Sequence, residues 1–303
     1  MIDILGKRYW LFGLSLLVIV PGLLILAFSG MPLSIDFTGG SLLEVRFDNA
    51  PAPAEILAVY DALNISDATV QTTENNAVII RSSFLDDATR ETVLAQLESE
   101  FGATELLRYD SVGPAIGAQV TQRAALAVGV AALAVIIYIV FTFRGIQHAE
   151  RYGLMAILAM VHDVAVVFSV AGIGSLLVGW EIDSLFLTAL LTVIGFSVQD
   201  KIVVFDRIRE NATILRRLPY ETLVNHSIVQ TLQRSINTQL MTVEFLLLAL
   251  ALFGGVTLQE FAVILLVGLL SGTYSSIFIA APLLVVWENQ EWKNWFGRKE
   301  SVA

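Results

Sequence analysis

The sequence contains no cysteine. That excludes disulfides, thiolate nucleophiles and zinc or iron–sulfur centres built on sulfur. Three scattered histidines in 303 residues leave little from which to build a metal centre. No G-x-x-x-x-G-K-[ST] phosphate loop occurs, so nothing points to a nucleotide-driven motor. Charge is scarce at 15% of residues, against about 25% in soluble domains. It is also unevenly spread. Residues 30–122 hold 14 of the 28 acids and only 4 of the 18 bases, and so carry all of the net −10. The rest of the chain balances, which leaves no basic surface for phosphate contacts and argues against nucleic acid as a partner.

What is abundant is hydrocarbon: 56% of the residues are hydrophobic. Apolar stretches long enough to cross about 30 Å of lipid, roughly 20 residues each, occur at 9–29, 123–143, 152–179, 184–205, 238–258 and 260–287. Six transmembrane helices are therefore expected. The first follows Lys7 and Arg8 and reads as an uncleaved anchor, because its 21 apolar residues exceed a signal-peptide core and no A-x-A site follows Gly30. Arg144, Arg151, Arg207, Arg209, Arg216, Arg217, Arg234, Lys293, Arg298 and Lys299 all fall on the same side as Lys7 and Arg8. That bias places both termini in the cytoplasm. Trp10, Trp180, Trp287, Trp292 and Trp295 sit near span ends, where an amphipathic ring prefers the headgroup layer. The expected organisation is a cytoplasmic N-terminus with the first span over 1–29, an extracytoplasmic domain over 30–122, a five-helix bundle over 123–287 interrupted by a cytoplasmic loop at 206–237, and a tail at 288–303.

The outer segment can be read element by element. Ser41–Asp48 alternates like a strand, and Pro53–Leu63 has helical spacing with proline in its first turn. Thr69–Thr73 and Ala77–Ser82 flank Asn75-Asn76, a hairpin signal. Asp86–Phe101 is a charged amphipathic helix and Glu105–Val112 closes as a strand. The order β-α-β-β-α-β predicts a small α+β domain of the ferredoxin-like type between the first and second spans of a polytopic α-helical membrane protein. Such a fold hosts many functions, and its acidity reads most simply as a soluble surface.

Ionisable groups inside spans cost roughly 2.5–3.5 kcal/mol each on insertion scales, so those that remain need a reason. Asp163 lies about 18 Å along its helix from Arg151, near the midplane, and Asp200 lies about 22 Å down the fourth helix. Side-by-side packing of the third and fourth helices would put both carboxylates in one polar seam. Arg207 follows Asp200 by two turns on nearly the same face, while Gln199 and Lys201 flank the acid. An acid beside a movable base is a proton switch. The plain alternative is a static pair holding two helices in register. Glu244 reads as snorkelling to the interface. His162 points about 100° away from Asp163 and reads as packing. Gly268 and Gly272 form G-x-x-x-G, and Gly195 sits one turn before Gln199; all three mark close helix contacts.

The words Asp36-Phe37-Thr38-Gly39-Gly40, Ser111-Val-Gly-Pro114, Val161-His-Asp163 and the run Gly195 to Asn211 (GFSVQDKIVVFDRIREN) resemble the SecF branch of the SecD/SecF protein-export family, as do Phe253-Gly-Gly255 and Ser271-Gly-Thr-Tyr-Ser-Ser276. The resemblance covers essentially the whole chain. It implies a non-enzymatic subunit of the bacterial cytoplasmic membrane that pairs with SecD, in a twelve-span plan like that of the resistance-nodulation-division transporters. It further implies association with the SecYEG channel, the SecA motor, the translocating preprotein and membrane lipids, with YajC and YidC as further candidate neighbours. The ion relay it implies is Asp163, Asp200 and Arg207, supported by Asp206, Gln199, Lys201 and Gly195. No cofactor is implied beyond a coupling ion, H⁺ or Na⁺. One departure is Lys201, where many relatives carry Ser or Thr; the extra cation beside Asp200 leaves the identity of the cycling carboxylate open. Two rivals remain: an exporter of lipids or small molecules on the same helix plan, and an intramembrane aspartyl protease using Asp163 and Asp200 as a dyad. A purely scaffolding chain would tolerate Asp163→Asn and Asp200→Asn.

Overall fold

The computed structural model describes residues 3–65, 67–73, 76–144, 149–239 and 245–295. Asn75 and Glu244 lie outside the described residues. The chain divides into two compact units: one formed by 1–31, 128–180 and 185–303, the other by 32–127 together with the short segment 181–184.

The smaller unit begins with a single helical turn, α2 (Ile35–Thr38), and continues through β1 (Gly40–Phe47), α3 (Pro53–Ala62), β2 (Thr69–Thr72), β3 (Ala77–Ser82), α4 (Asp87–Phe101) and β4 (Thr104–Val112). The observed boundaries fall within a residue or so of those expected from periodicity. The strands form one sheet ordered β2-β3-β1-β4, with every neighbouring pair antiparallel. Alternation along β1 turns Leu43, Val45 and Phe47 inward, where they meet Ile56 and Tyr60 of α3 and Leu97 of α4 in one core. Helix starts are set locally. Pro53 needs no N–H partner in the first turn, and the Glu55 carboxylate accepts from the Ala52 N–H at 2.8 Å. Asp86 caps α4 by accepting from the Thr89 N–H at 2.9 Å. That bond holds the Asp86 carboxyl below its usual range.

The larger unit is helical. Five helices are long and apolar enough to cross a membrane among the described residues: Leu5–Ser29, Pro114–Thr142, Ala149–Val178, Ser184–Ile214 and Leu258–Glu288. The first contains α1 (Arg8–Ser29), and α5 (Pro114–Thr142), α6 (Ala149–Val178) and α7 (Ser184–Ile214) supply the next three. The segment expected to cross at 238–258 contains α9 (Phe245–Phe253), and 240–244 lie outside the described residues. The loop expected at 206–237 is helical for much of its length: α7 continues to Ile214 and α8 runs Tyr220–Gln239. The last long helix is α10 (Val256–Ser275), a five-residue π turn (Ser276–Ala280) and α11 (Ala281–Glu288) in succession, with α12 (Trp292–Trp295) after it.

Small residues set the helix spacing. A methyl on Gly22 of α1 would collide with the Ser169 carbonyl of α6. At the same crossing, Ser169 Oγ donates to the Val18 carbonyl at 2.7 Å. Gly268 and Gly272, expected at an interface, face α7: a Cβ at Gly268 would meet the Val193 side chain, and one at Gly272 would lie 3.3 Å from Ser197 Cα. Gly195 faces open space. At the cytoplasmic end of this unit, Arg8 bonds Glu221 and Glu291 at 2.7 Å each, tying α1, α8 and the C-terminal stretch together.

Candidate functional site

The close approach of α10 to α7 and α6 brings a set of polar side chains into an otherwise apolar interior. Asp163 of α6 is fully buried, as is Lys201 of α7. The Lys201 ammonium donates to Asp163 Oδ2 at 2.7 Å, to Ser197 Oγ at 2.5 Å and to the Ser197 carbonyl at 3.1 Å. All three ammonium protons therefore have acceptors. The carboxylate is just as fully engaged. Its Oδ2 also accepts from Ser197 at 2.6 Å and Ser275 at 2.7 Å, and its Oδ1 accepts from Ser271 at 2.7 Å. His162 Nδ1 lies 3.1 Å from the same Oδ1. An ion pair taken out of water is tolerated only when geometry and additional hydrogen bonds offset desolvation, and here both are present.

Asp200 sits beside this cluster. Its Oδ1 accepts from Ser235 of α8 at 2.8 Å and its Oδ2 from Ser276 at 2.6 Å. No cation pairs with it among the described residues. Ser275 and Ser276 are consecutive, so the junction of α10 with the π turn holds one carboxylate by each of two adjacent hydroxyls. π turns widen a helix by one residue per turn and recur at functional sites.

The two expected carboxylates thus share one seam, but the expected base is elsewhere. Arg207 donates to Glu210 at 2.5 Å and to Gln230 at 2.6 Å, with its side chain 37% exposed. It does not meet Asp200. Seven residues put the two about 10 Å apart along the helix, and Glu210, one turn further on, takes the guanidinium first. Asp206 pairs with Arg209 at 2.5 Å, and Gln199 is exposed. Lys201, expected to act on the adjacent Asp200, instead turns to Asp163 on the neighbouring helix, because adjacent helical residues point about 100° apart.

The Asp36–Gly40 word occupies a second, separate place in the smaller unit. Asp36 Oδ2 accepts from the N–H and the hydroxyl of Ser184, at 3.0 and 2.7 Å. It thereby satisfies an N–H at the first residue of α7. Phe37 is buried, and its carbonyl accepts from Thr121 Oγ1 at 2.9 Å. Thr38 Oγ1 bonds the Ser34 carbonyl at 3.1 Å. Gly39 has φ +73°, and a Cβ there would lie 2.8 Å from Pro114 Cα. Conversely, a Cβ on Gly117 would come 2.6 Å from the Gly39 nitrogen. The glycines let the α2–β1 corner lie directly on the first turn of α5. Next to this corner Arg81 and Glu181 pair at 2.7 Å. Burial raises the Glu181 carboxyl above its usual range; Arg81 pulls it down, and Asp183 and Asp36 push it up.

Residues 92–290 match the family model for the protein export membrane protein SecD/SecF C-terminal region, and residues 24–51 match the SecD/SecF GG motif. The chain is 64% identical to the protein translocase subunit SecF of Anaerolinea thermophila, over 100% of this chain and 99% of that one. The chain belongs to the SecD/SecF protein-export family.

Other family members agree. The SecF subunit of Thermobaculum terrenum is 44% identical over 100% of this chain and 99% of its own. The crystal structure of SecDF, described as a translocon-associated membrane protein from Thermus thermophilus, superposes with a TM-score of 0.81 at 35% identity, over 95% of this chain and 39% of that one. The present chain thus spans about two fifths of that fused protein. These SecD/SecF relatives are named as translocase subunits, not as enzymes, and this chain is a membrane protein of their kind. Sequence reasoning missed the serines. Ser271, Ser275 and Ser276 stood in a run noted only for its resemblance to SecF sequences, although hydroxyls along an apolar helix are a signal for a buried polar partner.

Proposed function

We propose that this chain is a SecF-type subunit of the bacterial Sec protein-export machinery. In this reading it sits in the cytoplasmic membrane with both termini inside and six spans, the sixth formed around α9. The outer unit is a ferredoxin-like domain, a reading supported by its β-α-β-β-α-β order and its fully antiparallel sheet. SecD is its partner, a pairing supported by the fused SecDF relative. SecYEG, SecA, YajC and YidC are the surrounding machinery, and a preprotein emerging on the outer side is the cargo. The two units are joined by the chain as the notional domains at 30–122 and 123–287.

The observation that carries the reading is the Asp163–Lys201 pair, buried at 0% exposure and roofed by three serines. Protonating Asp163 neutralises one half of the pair, leaving Lys201 charged in a dry seam. The cluster must then rearrange, and α6, α7 and α10 with it. A proton suits this site better than sodium, because the Lys201 ammonium already occupies the cation position on Oδ2. One charge crossing 100 mV supplies about 2.3 kcal/mol, and each pH unit about 1.36. Switching a two-state body needs about 5.5 kcal/mol, so two or three protons per cycle suffice. Asp200 and Arg207 belong to the same relay in this reading, Asp200 directly through Ser276 and Arg207 at its cytoplasmic end.

The test is export in inverted membrane vesicles with and without a proton gradient. Asp163→Asn and Asp200→Asn should insert and retain SecD yet lose the gradient-dependent share of export. Undiminished stimulation in both variants would reduce the cluster to helix glue.

A further inference from the structure

Asp163 has no water-exposed surface, so any proton that reaches or leaves it must pass through one of its five neighbours. The Lys201 ammonium has all its protons bound. Ser197 is locked between Lys201 and Asp163, and Ser275 sits between Asp163 and the Gly272 carbonyl, 3.1 Å away. His162 differs from all of these. An imidazole can take a proton on one nitrogen and release another from the far side of the ring, neutral before and after.

The ring is placed for this. Nδ1 lies 3.1 Å from Asp163 Oδ1, whereas Nε2 is buried with no hydrogen-bond partner. Leaving such an atom unpaired costs about 1–3 kcal/mol, and native interiors contain few of them. The His162 side chain, 11% exposed, lines a cavity of about 290 Å³ between α1, α6 and α10. Its other polar lining comes from Ser15, Ser271 and Tyr274, within walls such as Leu14 and Val166. The Tyr274 hydroxyl donates to the Leu11 carbonyl at 2.8 Å, and its ring stacks at 6.2 Å on the imidazole, fixing the plane of the histidine. The cavity is roomy enough for several waters, and Nε2, Ser15 and Tyr274 are the groups to hold them.

We propose that His162 is the proton relay between this cavity and Asp163. Water in the cavity gives a proton to Nε2 as Nδ1 gives its own to Oδ1. One N–H bond forms, another breaks and an O–H bond forms on the acid. The ring ends neutral with its proton on Nε2, and reversal of the same steps returns the proton to the cavity. The titratable groups that face the ring are Asp163 on its own helix, Lys201 behind that carboxylate from α7, and Tyr274 from α10. The face from α1 presents Ser15, which carries no charge. The proposal rests on Asp163 being the coupling carboxylate, as argued above.

The test uses full-length protein in inverted vesicles with its export partners, reading gradient-driven export across pH. His162→Gln keeps an amide that can donate to Oδ1 but cannot pass a proton through. The gradient-driven rate should fall roughly a hundredfold, the scale on which positioned acid–base groups act. Chain level and SecD co-purification should hold. His162→Ala should fall equally, and imidazole in the buffer should restore part of its rate by entering the space vacated. Full gradient-driven export in His162→Gln overturns the relay. So does a loss in His162→Ala that imidazole leaves unchanged, since a packing role predicts that result. Asp163→Asn is assayed in parallel. If it keeps its stimulation, the ion-coupled reading itself fails; if it loses stimulation while His162→Gln does not, only the relay fails.

Discussion

Removing the ammonium from Lys201 should damage this protein more than removing the whole ion pair. In Lys201→Met the Asp163 carboxylate stays at 0% exposure with only hydroxyls and an imidazole for company. Breaking one side of a buried pair typically costs about 3–5 kcal/mol, because the survivor is an uncompensated charge. Asp163→Asn alone leaves the mirror-image problem, a buried ammonium whose carboxylate is gone, at a similar cost. The double variant Lys201→Met/Asp163→Asn carries no charge, and Asn still offers a carbonyl oxygen to Ser197, Ser271 or Ser275. It should recover at least half of the loss, a coupling of the size that contacting residues show in double-mutant cycles. For a helical body of 150–250 residues each kcal/mol is about 2–4 °C in Tm, so the single variants should lose about 6 °C or more. The assay is the temperature at which half of the purified full chain in detergent is lost from the monodisperse chromatographic peak. Single variants within about 2 °C of the parent, or a double variant no better than either single, would refute the claim that this pair is a desolvated, mutually dependent unit. In export, the double variant should be stable and still inert toward the gradient.

Other consequences can be measured as directly. Gly272→Leu should separate α10 from α7, since even a Cβ there lies 3.3 Å from Ser197 Cα; overpacking of about 1–3 kcal/mol should appear as lower thermal stability of the chain and faster proteolysis. Asp36→Ala removes the acceptor for the Ser184 N–H and hydroxyl and should cost about 1 kcal/mol, as lost helix caps do, read as faster hydrogen exchange at the first turn of α7 with the outer sheet unchanged. Glu181 has a folded pKa above its ordinary 4.5, so the folded outer unit binds more protons there than the unfolded chain. Its stability should be greatest below that value and decline as pH rises from 4.5 through the raised folded value; Glu181→Gln should flatten the decline, and an unaltered pH profile would count against the burial argument.

Much of the outer unit was legible because its elements are short and strictly patterned. The alternation of Leu43, Val45 and Phe47, and the punctuation by Pro53 and Asp86, fix strand and helix limits locally. The spans were legible as hydrocarbon, and α8 was hidden because a polar amphipathic helix in a loop gives no span-length signal. Asp163 and Asp200 were visible as misplaced charges. Their partners were not, since partner choice depends on which way each side chain leaves its helix and on what the next helix presents. The seven-residue spacing made Arg207 look available to Asp200, but Glu210 and Gln230 lie closer to the guanidinium. Lys201 looked like a neighbour of Asp200 in sequence, although one step along a helix turns a side chain towards different company. His162 was read as packing by the same 100° argument, and there the argument failed: an imidazole beside a short carboxylate can bend back to within 3.1 Å of it.

The consecutive hydroxyls of Ser275 and Ser276 impose a constraint of their own. Two acids mounted on different helices are yoked to a single peptide unit, so neither can be let go by shifting that backbone while the other keeps its grip. The wide turn that follows holds one residue of slack in the ladder of a helix. Drawing that slack through would spin the tandem by about 100°, the angular step of one residue, and unfasten both acids in the same stroke.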